Sequence, residues 1–96
     1  MADKINIIFM GTPDFACPVL QNLIDDSDFD VTAVITQPDK KVGRKQILTP
    51  SPIKALALIN EIPVLQPESL RKNEEVTDLI RNLEPDFIVV VAYGQI

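Results

Sequence analysis

Ninety-six residues with 46% hydrophobic and 24% charged side chains fit one small globular domain and exclude disordered, collagen-like and coiled-coil chains. The net charge of −5 disfavours a uniformly basic nucleic-acid binder, and with no histidine the chain lacks the commonest general base and metal ligand, so no metal site is expected. Cys17 is the single cysteine and no apolar run is long enough for a membrane span or built like a signal peptide, which together predict a cytoplasmic protein without membrane contact.

The first apolar run, Ile5–Met10, has the length of a strand and is closed by Gly11. After it, Phe15, Val19, Leu20, Leu23 and Ile24 fall on one side of a helix that carries Pro18 in or near its first turn. The acidic run Asp25-Asp26-Ser27-Asp28 ends that helix, because carboxylates oppose the dipole at a helix C-terminus. Val31–Thr36 is rich in β-branched residues and predicts a second buried strand. Residues 37–50 show no periodicity and contain Pro38, Gly43 and Pro50, which predicts a long loop. Ser51 as cap and Pro52 at the first helical position open a second helix, whose inner face is Ile53, Leu56, Ala57 and Asn60.

A short third strand is predicted over Ile62–Leu65, with Pro63 confined to its start. Asn73 can cap a third helix, with Glu74 and Glu75 in the first turn, Val76, Leu79, Ile80 and Leu83 on the apolar face and Pro85 as the stop. Phe87–Val91 is a fully apolar fourth strand. The order βαβαβαβ predicts an α/β fold: the first half of a doubly wound, Rossmann-like parallel sheet with strand order 3-2-1-4. Residues 1–96 then form the N-terminal portion of such a domain, cut after strand four, whose outer edge is left open for self-association.

Charge is unevenly distributed. Residues 40–54 hold Lys40, Lys41, Arg44, Lys45 and Lys54 with no acid, whereas the other positions hold four basic and fourteen acidic residues. A segregated basic segment on an acidic body points either to a local phosphate-bearing partner or to a merely solvated loop.

In open α/β sheets, ligands bind beyond the carboxyl ends of the strands where the order reverses. Here that places Gly11, Thr12, Pro13 and Asp14 after strand one and Tyr93, Gly94, Gln95 and Ile96 after strand four. One glycine is too few for a dinucleotide fingerprint, Pro13 removes a backbone donor and Asp14 repels phosphate, so NAD, FAD and ATP are disfavoured. The plain alternative for the first loop is that Thr12 or Asp14 caps the helix. By position, Phe15 is expected in the core, and Cys17 packs as a small apolar residue with no histidine to activate it.

Four stretches in order, GTPDFA at 11–16, TQPDKKVGRK at 36–45, LTPSPIK at 48–54 and VVVAYGQI at 89–96, resemble methionyl-tRNA formyltransferases over practically the whole chain. The resemblance implies transfer of a formyl group from 10-formyltetrahydrofolate to the α-amino group of methionine on initiator tRNA. Lys40, Lys41, Arg44 and Lys45 then match a loop that meets the tRNA acceptor arm, Arg44 foremost. Gly11–Asp14 match the formyl-acceptor side, and Tyr93–Ile96 the start of the folate pocket. The Asn, His and Asp that such enzymes use match no position here, so none of these 96 residues is expected to be catalytic and the chain alone is expected to transfer no formyl group. Two alternatives stand beside this reading. One is a formyltransferase or formylfolate hydrolase of the same fold with a small-molecule substrate; the other is a non-catalytic RNA-binding module.

Overall fold

The computed structural model describes residues 4–67 and 74–91. Among the described residues, six strands and three helices follow in the order β1 (Ile5–Gly11), α1 (Cys17–Asp25), β2 (Phe29–Ile35), β3 (Lys40–Val42), β4 (Ile47–Thr49), α2 (Pro52–Ile59), β5 (Val64–Leu65), α3 (Glu74–Leu83) and β6 (Phe87–Val91). A short 3-10 turn, Asp14–Ala16, leads into α1.

The main sheet has the order β5-β2-β1-β6, every pair parallel. Counting only its own strands along the chain, this is third, second, first, fourth, the order predicted. The numbering differs because β3 and β4 form a separate antiparallel hairpin within what was expected to be a long loop. The pattern of short strands escaped the sequence reading because all six hairpin strand residues are exposed and leave no burial period. Its tip, Gly43 to Gln46, turns with Gly43 at φ +75 and Gln46 at φ +50.

β1 is central and buried on both faces, and this explains its near-continuous apolar run. Phe9, Val31 and Val34 face α1 and α2, packing with Ala16, Leu20, Ile53 and Ala57. Ile8, Met10, Ala33 and Ile35 face the other way, toward Val76 of α3, with Ile80 and Leu83 packed alongside. The alternation along β1 therefore places one layer of helix on each side of the sheet. Between Ile7 and Ile8 the β1–β2 register slips, and the Thr32 hydroxyl at the slip donates to the Ile7 carbonyl at 3.3 Å. Asp86 pins β6 to β1: its carboxylate accepts from the Asn6 backbone N–H at 2.7 Å, and its own N–H donates to the Asn6 carbonyl at 2.8 Å.

Several expectations for the helices hold. Pro18 sits in the first turn of α1, and the helix ends at Asp25, after which the Asp26 carboxylate accepts from the Asp28 backbone N–H at 2.9 Å. Ser51 caps α2, accepting from the Lys54 backbone N–H at 3.1 Å. Two expectations fail on the first helix. Phe15 is 65% exposed and Val19 38% exposed, because the 3-10 turn rotates the entry to α1 and buries Ala16 in their place. The expected cap of α3, Asn73, lies outside the described residues.

Candidate functional site

The site is built where the chain leaves the carboxyl ends of β1 and β2. A cleft of about 360 Å³ lies there, with Thr12 and Pro13 from the loop after β1 on one side and Gln37 and Pro38 after β2 on another. Lys40 and Val42 of β3 and Thr49 of β4 form its hairpin wall, and Pro50, Ser51 and Pro52 close it. Four prolines make the walls stiff and mostly apolar. Lys40 is the cleft's only cation among the described residues.

The structure thus brings part of the expected acceptor-side loop and part of the basic segment together around one cleft. Gly11 ends β1 beneath it, where an added Cβ would stand 2.9 Å from both the Phe9 ring and the Val91 carbonyl oxygen. Thr12 does not cap a helix. Its hydroxyl accepts from the Gln37 backbone N–H at 3.3 Å and so ties the β1 loop to the β2 loop. Asp14 is no cap either: it is the first residue of the 3-10 turn, and neither that turn nor α1 has a side-chain cap. Asp14 does raise the Cys17 thiol pKa, as a second cause after burial, which keeps the sulfur protonated and unreactive.

Lys41, Arg44 and Lys45 are exposed on the hairpin, and Arg44 and Lys45 occupy its turn. Lys54 does not join them. Its ammonium lies 3.2 Å from both Asp39 carboxylate oxygens, and both side chains are only 22% exposed. The free basic surface is therefore the hairpin, not the whole segment 40–54. Tyr93, Gly94, Gln95 and Ile96 lie outside the described residues.

A cluster at the hairpin's root was missed from sequence. Asp39 Oδ1 accepts from Gln66 Nε2 at 2.6 Å, and the same amide donates to the Gln37 carbonyl at 3.2 Å. The Gln66 bond, then Lys54, hold the Asp39 carboxyl below the usual carboxylate range. Beside it the hydroxyls of Thr36, fully buried, and Ser51 lie 2.7 Å apart. A signal was available: Asp39 is the one acid between Asp30 and Glu61, set at the edge of the basic segment.

The family model described as formyl transferase matches residues 3–96. The chain belongs to the formyl transferase family. Among curated relatives, the methionyl-tRNA formyltransferase of Geobacter sulfurreducens is 59% identical over 92 residues, 96% of this chain and 28% of that protein. The methionyl-tRNA formyltransferase of Pediococcus pentosaceus is 57% identical over 90 residues, covering 94% and 28%. That of Caldicellulosiruptor saccharolyticus is 53% identical over 92 residues, covering 96% and 30%. The chain thus spans under a third of the length of these relatives. Among solved structures, phosphoribosylglycinamide formyltransferase from Anaplasma phagocytophilum superposes with a TM-score of 0.66 at 12% identity, over 98% of this chain and 42% of that one. The α/β formyltransferase fold is shared; at that identity the likeness speaks for the fold alone.

The resemblance drawn from the four sequence stretches is therefore correct at the level of the family. Among the described residues no group of histidine, cysteine, aspartate and glutamate could hold a metal ion, and no helix is long and apolar enough to cross a membrane.

Proposed function

We propose that the protein carrying this chain transfers a formyl group from 10-formyltetrahydrofolate to the α-amino group of methionine on initiator tRNA, in the cytoplasm. These 96 residues supply the sheet that positions the site, the acceptor-side loop and the tRNA-facing hairpin. The observation that carries this reading is the hairpin itself. It presents Lys40, Lys41, Arg44 and Lys45, all exposed, on a body whose remaining charge is predominantly acidic. A projecting cationic ribbon suits a polyanion and is superfluous for a small acceptor amine.

In this reading Gly11–Asp14 border the acceptor amine and Tyr93–Ile96 begin the folate pocket. Acyl transfer to an amine passes through a tetrahedral intermediate and needs oxyanion donors and a base to take the amine's proton. This chain has no histidine to act as that base. Its share of the reaction is binding and orientation.

The test compares wild type and Arg44→Ala for binding to initiator tRNA across a salt series. We expect weaker binding and a salt slope shallower by about 1 for the lost phosphate contact. Equal affinity with an unchanged slope overturns the hairpin's role and returns the small-molecule acceptor as the better reading.

A further inference from the structure

We propose that Asp39 is a positioning residue, whose carboxylate sets the direction in which the basic hairpin leaves the body. That the aimed cations meet tRNA rests on the function proposed above; the clamp itself stands on geometry alone.

A two-stranded hairpin by itself is marginally stable in water. Here every residue of β3 and β4 is exposed, Val42, Ile47 and Leu48 each by half or more, so neither strand has a buried side chain that would seat it on the sheet. Its direction must be set at its two roots. The incoming root is Gln37-Pro38-Asp39 and the outgoing root is Pro50-Ser51. Each contains a proline, which fixes φ, next to a residue whose side chain is bonded into the body. On the outgoing side that bond joins Ser51 to buried Thr36 at 2.7 Å.

On the incoming side the bonds converge on Asp39. Gln66, which follows β5, donates one amide to Asp39 at 2.6 Å and to the Gln37 carbonyl at 3.2 Å, so it grips the root at two points. Lys54, in the first turn of α2, meets both carboxylate oxygens at 3.2 Å. Three separate segments thus meet at the residue that immediately precedes β3. The pair is more enclosed than the other ion pair among the described residues, Arg81–Asp78, whose side chains are 75% and 66% exposed, so solvent screens it less. Leverage makes the clamp matter. From Asp39 to the turn the strand runs about 13 Å, so a small rotation at the root moves the Arg44 end by several ångströms. An electrostatic surface of four cations has a defined direction only if that rotation is blocked.

Limited trypsin digestion of the intact protein reads the hold directly, because the enzyme cuts after Lys40, Lys41, Arg44 and Lys45 once the hairpin loosens. We expect cleavage there to be about tenfold faster in Asp39→Ala, with the far-ultraviolet circular dichroism unchanged. Asp39→Asn, which keeps an acceptor for Gln66, and Lys54→Met, which removes the ammonium, should fall between. Effects of Asp39→Ala and Lys54→Met should combine to less than their sum, since the two remove one shared contact. Initiator tRNA should bind the double variant Asp39→Ala/Lys54→Met, which removes the pair without freeing Lys54, several-fold more weakly with an unchanged salt slope, because the four hairpin cations remain; Arg44→Ala should change the slope. If Asp39→Ala fails to fold, Asp39→Asn and Lys54→Met carry the same test. Unchanged cleavage in the folded variants overturns the clamp, and so does unchanged tRNA affinity in a variant that lacks Lys54 and whose hairpin has loosened. Loss of the Arg44→Ala effect instead strikes the proposed function and leaves the trypsin result standing.

Discussion

A β-carbon on residue 11 would stand 2.9 Å from the Val91 carbonyl oxygen and from the fully buried Phe9 ring. The first neighbour is backbone of the paired strand β6, and the second has core on every side, so neither yields cheaply. Gly11→Ala should therefore destabilise by about 1–3 kcal/mol, the usual cost of overpacking, read as a lower denaturant midpoint with unchanged slope. A neutral result would mean that β6 can shift away from β1. From sequence, Gly11 was legible as the end of a strand; the close approach of Val91, 80 positions along the chain, was not. Phe15 shows the same limit in reverse. Its spacing from Val19 and Leu23 suits a buried helical face, but the 3-10 turn ends before that helix period begins and leaves the ring 65% exposed.

Among the elements, α2 announces itself most clearly, through Ser51 and Pro52, and the structure shows why the cap matters beyond its own helix. Ser51 Oγ accepts from the Lys54 backbone N–H and also meets the hydroxyl of Thr36, which has no exposure to water. Ser51→Ala should cost about 1–2 kcal/mol for the cap and more for stranding a buried hydroxyl. Thr36→Val in the same background should recover part of that loss, since it removes the stranded group; thermal unfolding of the two variants decides this. If the double variant is no better than Ser51→Ala, the hydroxyl contact contributes nothing. The hairpin β3–β4 is the opposite case. Strands of three residues with no buried face leave no periodic signal, so only Gly43 hinted at a turn.

Across the whole molecule, the two helical layers cover β1 and β2 but leave β6 thinly protected. Phe87, Ile88 and Val90 are 61%, 45% and 42% exposed, and among the described residues β6 pairs with β1 alone. We propose that the 96 residues expressed by themselves associate through that strand, by edge pairing and burial of its apolar side chains. Light scattering over a concentration series should show a mass that grows with concentration, and Val90→Lys should suppress it. A constant monomer mass at high concentration would count against the idea.

The sequence alone determined the parallel α/β order, the placement of three helices and the family, because those follow from local period, caps and contiguous motifs along one chain. It also marked the basic segment, whose charge needs no fold to be counted. Tertiary structure decided which cations are free and which are held. Lys54 is drawn out of the basic set by Asp39, 15 positions earlier, and Gln66, 27 positions after Asp39, completes that clamp. It also brought Thr12 to Gln37 and assembled the proline-walled cleft from three loops. Contacts of that kind depend on where parallel strands end in space, which spacing along the chain does not encode.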